Sequence, residues 1–449
     1  VTARPTAVDS EIFELNFLTA AAPKGCCAVS SNFISQSRPG SPAAPMYVSP
    51  LPTPAKAGQL IQVTSAVLAS PSSTHGTRYL YDLAYQSPDG TVAPQRFVVR
   101  QASVATENAR YYSADTSHGY LSNFPAFPVN REIGSTDVLP AETFPTAITT
   151  YLTANPALTW SPEYIQAAPN FNFNGGQYTS AQTFRPGQRF TDNWGEYPLH
   201  PSSAVLLPQT SHQPPVQATA TRSGDSLAIG MNSFTDNTPG HLGLAVNPPF
   251  QASGSYQIDQ NGTKVAGGAL PRYGDFQATA TLTPKPSLIK VAMTATEPAK
   301  LNPLSTTNST VWTWPSAHES SGTLPPGWAC ATSRITRSCT VQPLLTLRYN
   351  VAGENLSGAT TPGQQTVRLS VGHLQLTKAA KITGVTVSVS FDGGKTWHQA
   401  KVTGTGGSYT AAFSAPAGAL VTMRTAATDA AGASITQTIT DAYQTATQS

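Results

Sequence analysis

The chain has 449 residues, too many for one ordinary hydrophobic core, so roughly two to four domains are expected. Charged residues make up only 11%, and 26 basic against 23 acidic side chains leave a net charge of +3 with no basic block. That balance excludes the clustered basic face that nucleic acid requires, and no apolar run reaches the ~20 residues of a membrane-spanning helix.

The 38 Pro, 34 Gly and recurring Thr and Val favour strands and turns, and a hydrophobic share of 39% is enough for sandwich cores. The opening Val1-Thr2-Ala3-Arg4-Pro5 lacks the basic-then-apolar pattern of a signal peptide, so an exported protein would carry this chain in processed form.

Taken in order, the first alternating strand is Glu11 to Leu18, followed by a Pro/Ser-rich connection over 35–45. Strands are expected at 59–68, 78–85 and 95–100, split by turn clusters such as Ser87-Pro88-Asp89-Gly90, then at 110–112, 147–152 and 182–184. A short helix is the expectation only around 161–168. These make a β-rich domain over 1–212, ending at the linker-like His212-Gln213-Pro214-Pro215.

A second domain, 213–350, opens with strands 217–222 and 226–231 around Ser223-Gly224-Asp225. A clearer hairpin turns at Asn261-Gly262, and strands at 276–282, 288–293, 310–314 and 344–349 follow. The last domain, 351–449, has strands at 365–371, 384–391, 397–402, 408–413, 420–425 and 434–439. The fold class is therefore all-β: tandem β-sandwich domains, the last immunoglobulin- or fibronectin-like.

Four cysteines fall as Cys26-Cys27 and Cys330 with Cys339. The second pair closes a short loop and reads as a local disulfide in an oxidising, extracellular compartment. Adjacent Cys26 and Cys27 can bond to each other, stay free or pair elsewhere. No His accompanies either pair at zinc-site spacing, so no metal is assigned.

Several motifs have a functional and a bland reading. His75-Gly76-Thr77 copies a short subtilisin-type His motif and Asp115-Thr116-Ser117 echoes the Asp motif, but the order is wrong and no nucleophile segment follows. His200, His212 and His241 lack helical metal spacings, and His318-Glu319 reads as a solvated loop. Asp192-Asn193 and Asp236-Asn237 offer hard oxygens for Ca²⁺, though carboxylates are sparse. Tyr111, Tyr112, Tyr120, Trp160, Trp194 and Tyr197 can stack on sugars, or pack a core. Asn261, Asn308 and Asn355 head glycosylation sequons that turns alone also explain. No catalytic residue, metal ligand or cofactor is assigned.

The most specific motif is Ser390-Phe391-Asp392-Gly393-Gly394-Lys395-Thr396-Trp397, between two alternating strands. It fits the Ser-x-Asp-x-Gly-x-Thr-Trp pattern called an Asp-box, in which Ser390, Asp392, Gly394, Thr396 and Trp397 organise a hairpin turn and carry no chemistry.

Together with the segments 76–83, Asn193 to Pro201, Phe234 to His241 and Val311 to Trp314, this hairpin resembles the non-catalytic C-terminal region of large secreted subtilisin-like serine peptidases of high-GC Gram-positive bacteria. The resemblance spans nearly the whole chain. It implies a peptidase domain upstream as partner, with protein or glycan as further partners, and an accessory role that is stabilising, substrate-presenting or surface-binding. The family's triad has no matching positions here. The alternative is an independent extracellular module that binds glycan or cell wall.

Overall fold

A computed structural model describes residues 10–20, 29–36, 60–69, 78–86, 100–126, 142–167, 173–179, 181–201, 215–243, 252–270, 275–300, 302–332 and 335–447. These residues form strands joined by turns, with one 3₁₀ turn, Gln101–Ser103, and no α-helix among them. The chain is all-β, built of packed sheets, as composition and alternation require.

The first part pairs a seven-stranded sheet with a five-stranded one. The seven run in the order Arg189–Trp194, Val104–Tyr111, Thr146–Thr153, Arg78–Gln86, Leu60–Ala69, Ser10–Ala20 and Val29–Gln36. The five run His241–Gly243, Phe173–Thr179, Thr159–Ala167, Ser117–Ala126 and Glu142–Phe144. Tyr111, Ile148 and Trp194 from one sheet and Leu121, Phe144 and Tyr164 from the other share a buried aromatic core. The Phe144 and Tyr164 rings meet edge to face at 4.8 Å.

The helix expected at 161–168 is instead the strand Thr159–Ala167. Trp160, Pro162 and Tyr164 alternate inward along it, a period of two that suits a sheet face. Pro162 lies opposite Asn123 in that sheet. The strand expected at 182–184 reduces to a single bridge between Gln182 and Trp160.

Farther along, a nine-stranded sheet runs Thr263–Ala269, Ser253–Gln260, Ser287–Thr296, Thr307–Ser316, Ser434–Thr445, Leu420–Asp429, Ile382–Ser390 and His398–Gln399, with Ala359–Thr360 added alongside Ser434–Thr445. Two four-stranded sheets accompany it. One runs Asp275–Thr281, Ser226–Asn232, Ala220–Ser223 and Thr340–Val341; the other runs Leu345–Val351, Gly363–His373, Ser408–Ala415 and Lys401–Thr405. A single core cluster joins them, with Ile229 and Phe276 from the first, Leu347 and Leu369 from the second, and Val291, Trp314, Val387 and Ile439 from the large sheet.

The expected boundaries at 212 and 350 are both bridged by strand pairing. His241–Gly243 hydrogen-bonds to Phe173–Thr179 inside the first part. Thr307–Ser316 pairs with Ser434–Thr445 from Thr307↔Thr440 to Thr313↔Ser434, which fuses two sandwiches edge to edge. Fusion of this kind removes two exposed strand edges that would otherwise template aggregation.

Cys330 and Cys339 form a disulfide, both buried beside the short strands Trp328–Ala329 and Thr340–Val341. By loop-closure entropy, Cys339→Ser should cost roughly 2–3 kcal/mol of unfolding free energy. Urea titration with and without reductant checks this, and reductant should narrow the gap between wild type and variant. Cys26, Cys27, His75, His212 and residues 37–45 of the Pro/Ser-rich connection lie outside the described residues. Among the described residues no helix is long and apolar enough to cross a membrane.

Candidate functional site

At Ser390–Trp397 the chain turns between Ile382–Ser390 and His398–Gln399, pairing Val389 with His398. Gly393 and Gly394 take φ +71° and +89°, which a side chain would strain. Asp392 Oδ1 accepts from the backbone N–H of Lys395 at 3.0 Å and of Thr396 at 2.9 Å, and from Ser390 Oγ at 2.7 Å. Thr396 Oγ1 donates to Asp392 Oδ2 at 2.7 Å, and Gly394 N–H donates to Ser390 Oγ at 2.8 Å. Trp397 Nε1 closes the turn on Gly394 O at 2.9 Å, with the Arg424 guanidinium 3.9 Å over its ring.

Backbone donation from Thr396, then the Ser390 and Thr396 hydroxyls, hold the Asp392 carboxyl well below the usual Asp range. Its contribution to stability is present above about pH 4 and is lost as pH falls below that value. Asp392→Ala should therefore lower the unfolding midpoint at neutral pH and shrink the gap to wild type in acid. Thermal scans across that window test it; an equal deficit at every pH would refute the linkage.

A second constellation lies where the segments 193–201 and 234–241 meet. His241 is 1% exposed and stacks on Trp194 at 4.0 Å. Its Nδ1–H donates to Asp236 Oδ2 at 2.8 Å, and Nε2 stands 3.2 Å from Asp192 Oδ1, an ion-pair distance off hydrogen-bond alignment. Burial opposes the imidazolium charge, but Asp236 and Asp192 outweigh it and push the pKa up to about 10. Asp236 also accepts from Gly195 N–H at 2.8 Å and Thr238 N–H at 3.0 Å.

Asn237 continues the network. Its Nδ2 donates to Pro198 O, and its Oδ1 accepts from Tyr349 N–H at 2.7 Å and His200 at 2.9 Å. The amide orientation is thereby fixed, so His200 carries its hydrogen on Nε2. Gln177 spans the same region, donating to Phe234 O and accepting from Asp236 N–H. Glu196 accepts from Asn193 and from Asn350. Residues from the first two expected domains, as far along as Asn350, thus share one buried hydrogen-bond network.

The carboxyls around it are displaced upward. Burial first, then Asp192, raises Glu107 to about 8, and Trp194 Nε1–H donates to it at 3.2 Å. Burial also raises Glu297 to about 8, Glu163 to about 7 and Glu196, and burial beside Glu196 raises Glu354. Raised carboxyls add stability below the ordinary Glu value of about 4.3 and lose it as pH climbs through about 7 to 8. His241 loses its share between about 6.5 and about 10. The urea midpoint should accordingly be higher at pH 5 than at pH 9; a flat profile would contradict these environments.

Several residues read as possible ligands are absorbed by the fold. Asp192 and Asp236 face His241, and Asn237 faces amide and imidazole N–H groups, so these oxygens do not converge on a Ca²⁺ position. Among the described residues no group of three metal-ligating side chains forms. Tyr111, Tyr112, Tyr120, Trp160, Trp194 and Tyr197 are all buried, which corrects the idea of an exposed sugar-stacking face. Asn308 is fully buried too, so its sequon is inaccessible, while Asn355 is exposed. His318 pairs with Asp225 at 2.8 Å, and Asp115 sits exposed in a turn.

Glu107, Gln177 and Glu297 escaped sequence reading. Each is a single polar residue in or beside an alternating strand, and only the partner segments, up to 87 residues away for Glu107 and Trp194, reveal its burial. Compared with known protein families and with curated proteins, the chain matches none.

Proposed function

We propose that this chain is a non-catalytic accessory region of a secreted subtilisin-like serine peptidase, acting to stabilise the enzyme, present substrate or bind a surface. The observation that carries the reading is the use made of the two most distinctive polar segments. Asp192, Asp236, Asn237, His200 and His241 hydrogen-bond or ion-pair to one another and to backbone, so their chemistry joins sheets together. The Asp-box spends its carboxylate on its own turn in the same way. A disulfide and a low-charge β surface suit export.

Two measurements test this. The coding sequence immediately upstream of Val1 should encode a subtilisin-like peptidase domain; a signal peptide abutting Val1 would overturn the assignment. The purified chain should leave casein intact and resist a fluorophosphonate probe. Hydrolysis abolished by that probe would overturn the non-catalytic half.

A further inference from the structure

A narrow crevice opens beside the polar junction, between Gly175–Gly176 and Glu297. It encloses about 440 Å³ of atom-free space counting its open mouth, yet its interior admits roughly one or two waters. Tyr112, Tyr164, Tyr197 and Phe234 line it.

Glu297 is 5% exposed, and among the described residues no group hydrogen-bonds to its carboxyl. A carboxyl so placed costs stability unless a partner arrives. Gln166 supplies a second acceptor with no partner among the described residues. Tyr164 OH donates to Tyr112 O at 2.8 Å, so it must accept from Gln166 Nε2 at 2.8 Å, which turns Gln166 Oε1 the other way. A point one carbon beyond Gly175 lies 3.7 Å from Gln166 Oε1 and 3.9 Å from Glu297 Oε1. Gly175 and Gly176, at φ +150° and +146°, keep that point clear of side chain. Two acceptors without a partner among the described residues, one of them a carboxyl, thus flank one point of an aromatic-lined slot the width of a water molecule.

We propose that this crevice binds a primary alkylammonium head, with Glu297 and Gln166 accepting its N–H bonds and the tyrosines lining its alkyl stem. An –NH₃⁺ group matches the slot in size, supplies three donors and carries the charge that a buried carboxylate lacks. Aromatic rings favour a cation further. Divalent metals are poorly served, since one carboxyl and one amide oxygen fall far short of the ligand count Ca²⁺ takes. Among the lining groups, Gln166, Gln177, Asn232 and Asn302 do not titrate, and burial holds the tyrosine phenols Tyr164 and Tyr197 protonated. Tyr112 is raised in the same sense by burial and by Glu196. Glu297 therefore gives up its own proton to solvent when the ammonium enters at neutral pH, and affinity for a lysine-type ammonium rises toward about pH 8, whereas an α-ammonium loses its own proton at about 7.7–8.0 and gains no such rise.

The head can come from a lysine side chain or from a chain's N-terminal amine, and calorimetry on the full chain near pH 7, where both amines are mostly ammonium, with Nα-acetyl-lysine methylamide and with glycinamide separates them. One or both should bind saturably, and Glu297→Gln should weaken that binding about tenfold or more, or about 1.4 kcal/mol. The isosteric variant, freed of the unpartnered carboxyl, should unfold at a midpoint no lower than wild type's, so weaker binding would not reflect lost folding. Independently of any variant, the Nε-acetylated lysine analogue should fail to compete on wild type. Absence of saturable binding by both amines, equal affinity in Glu297→Gln, or competition by the acetylated analogue or by K⁺ at matched concentration would each overturn the proposal.

Discussion

Asp236→Ala should lower the free energy of unfolding by about 3–5 kcal/mol, the scale for removing one partner of a buried charge pair. The carboxylate is fully buried and takes three hydrogen bonds, from Gly195 N–H, Thr238 N–H and His241 Nδ1–H. Its loss strands the buried Gly195 amide and the half-buried Thr238 amide and leaves the imidazolium facing Asp192 alone, at 3.2 Å. Asp236→Asn keeps an acceptor for Gly195 and should fall between wild type and alanine. The double variant Asp236→Asn/His241→Gln should cost less than the two single changes summed, because the imidazolium no longer needs a counter-charge. Urea titration followed by tryptophan fluorescence reads these variants and the single His241→Gln, since Trp194 stacks on His241. A loss under about 1 kcal/mol for alanine would mean that the network is solvent-accessible.

What was legible in the sequence follows the range of the interactions. The Asp-box hydrogen bonds close within four residues, and the Asn261-Gly262 hairpin needs only Asn261 at φ +51° followed by Gly262 at φ +80°, so local pattern sufficed for both. Alternation in Leu345–Val351 likewise reports its own buried face. The junction network was illegible because its partners are remote: Asn237 accepts from Tyr349 N–H, 112 residues on, and Tyr197 OH donates to Asn302, 105 residues on. The helix reading of 161–168 failed for a related reason. A stretch holding Pro162, Glu163 and Tyr164 has weak local preference, and pairing with Ser117–Ala126 decided its conformation. The strand pairings across 212 and 350 escaped for the same cause, since turn-rich linkers mark where a chain turns and not where a sheet ends.

A chain cut at 350 should not yield a stable C-terminal domain. The fragment 351–449 loses Leu345, Leu347 and Tyr349, all buried in the strand that flanks Gly363–His373. Burying those three side chains is worth roughly 5–9 kcal/mol, comparable with the entire stability of a small domain. The cut also strips Thr307–Ser316 from Ser434–Thr445 and leaves a long unpaired edge. The fragment 351–449 should therefore show no cooperative unfolding and a poorly dispersed proton spectrum. Restoring the strand in 343–449 should recover cooperativity but not the seam, so that fragment should associate through the bare edge, seen as concentration-dependent sedimentation. Lysine substitutions at Thr436 and Thr438, which lie on that edge opposite Val311 and Ser309, should suppress the association without restoring the midpoint of the intact chain. A monomeric 351–449 unfolding at the intact chain's midpoint would mean that the shared sheet contributes nothing. The C-terminal sandwich would then be a free-standing module, and the Asp-box hairpin at the far end of the sheet would depend on no residue before 351.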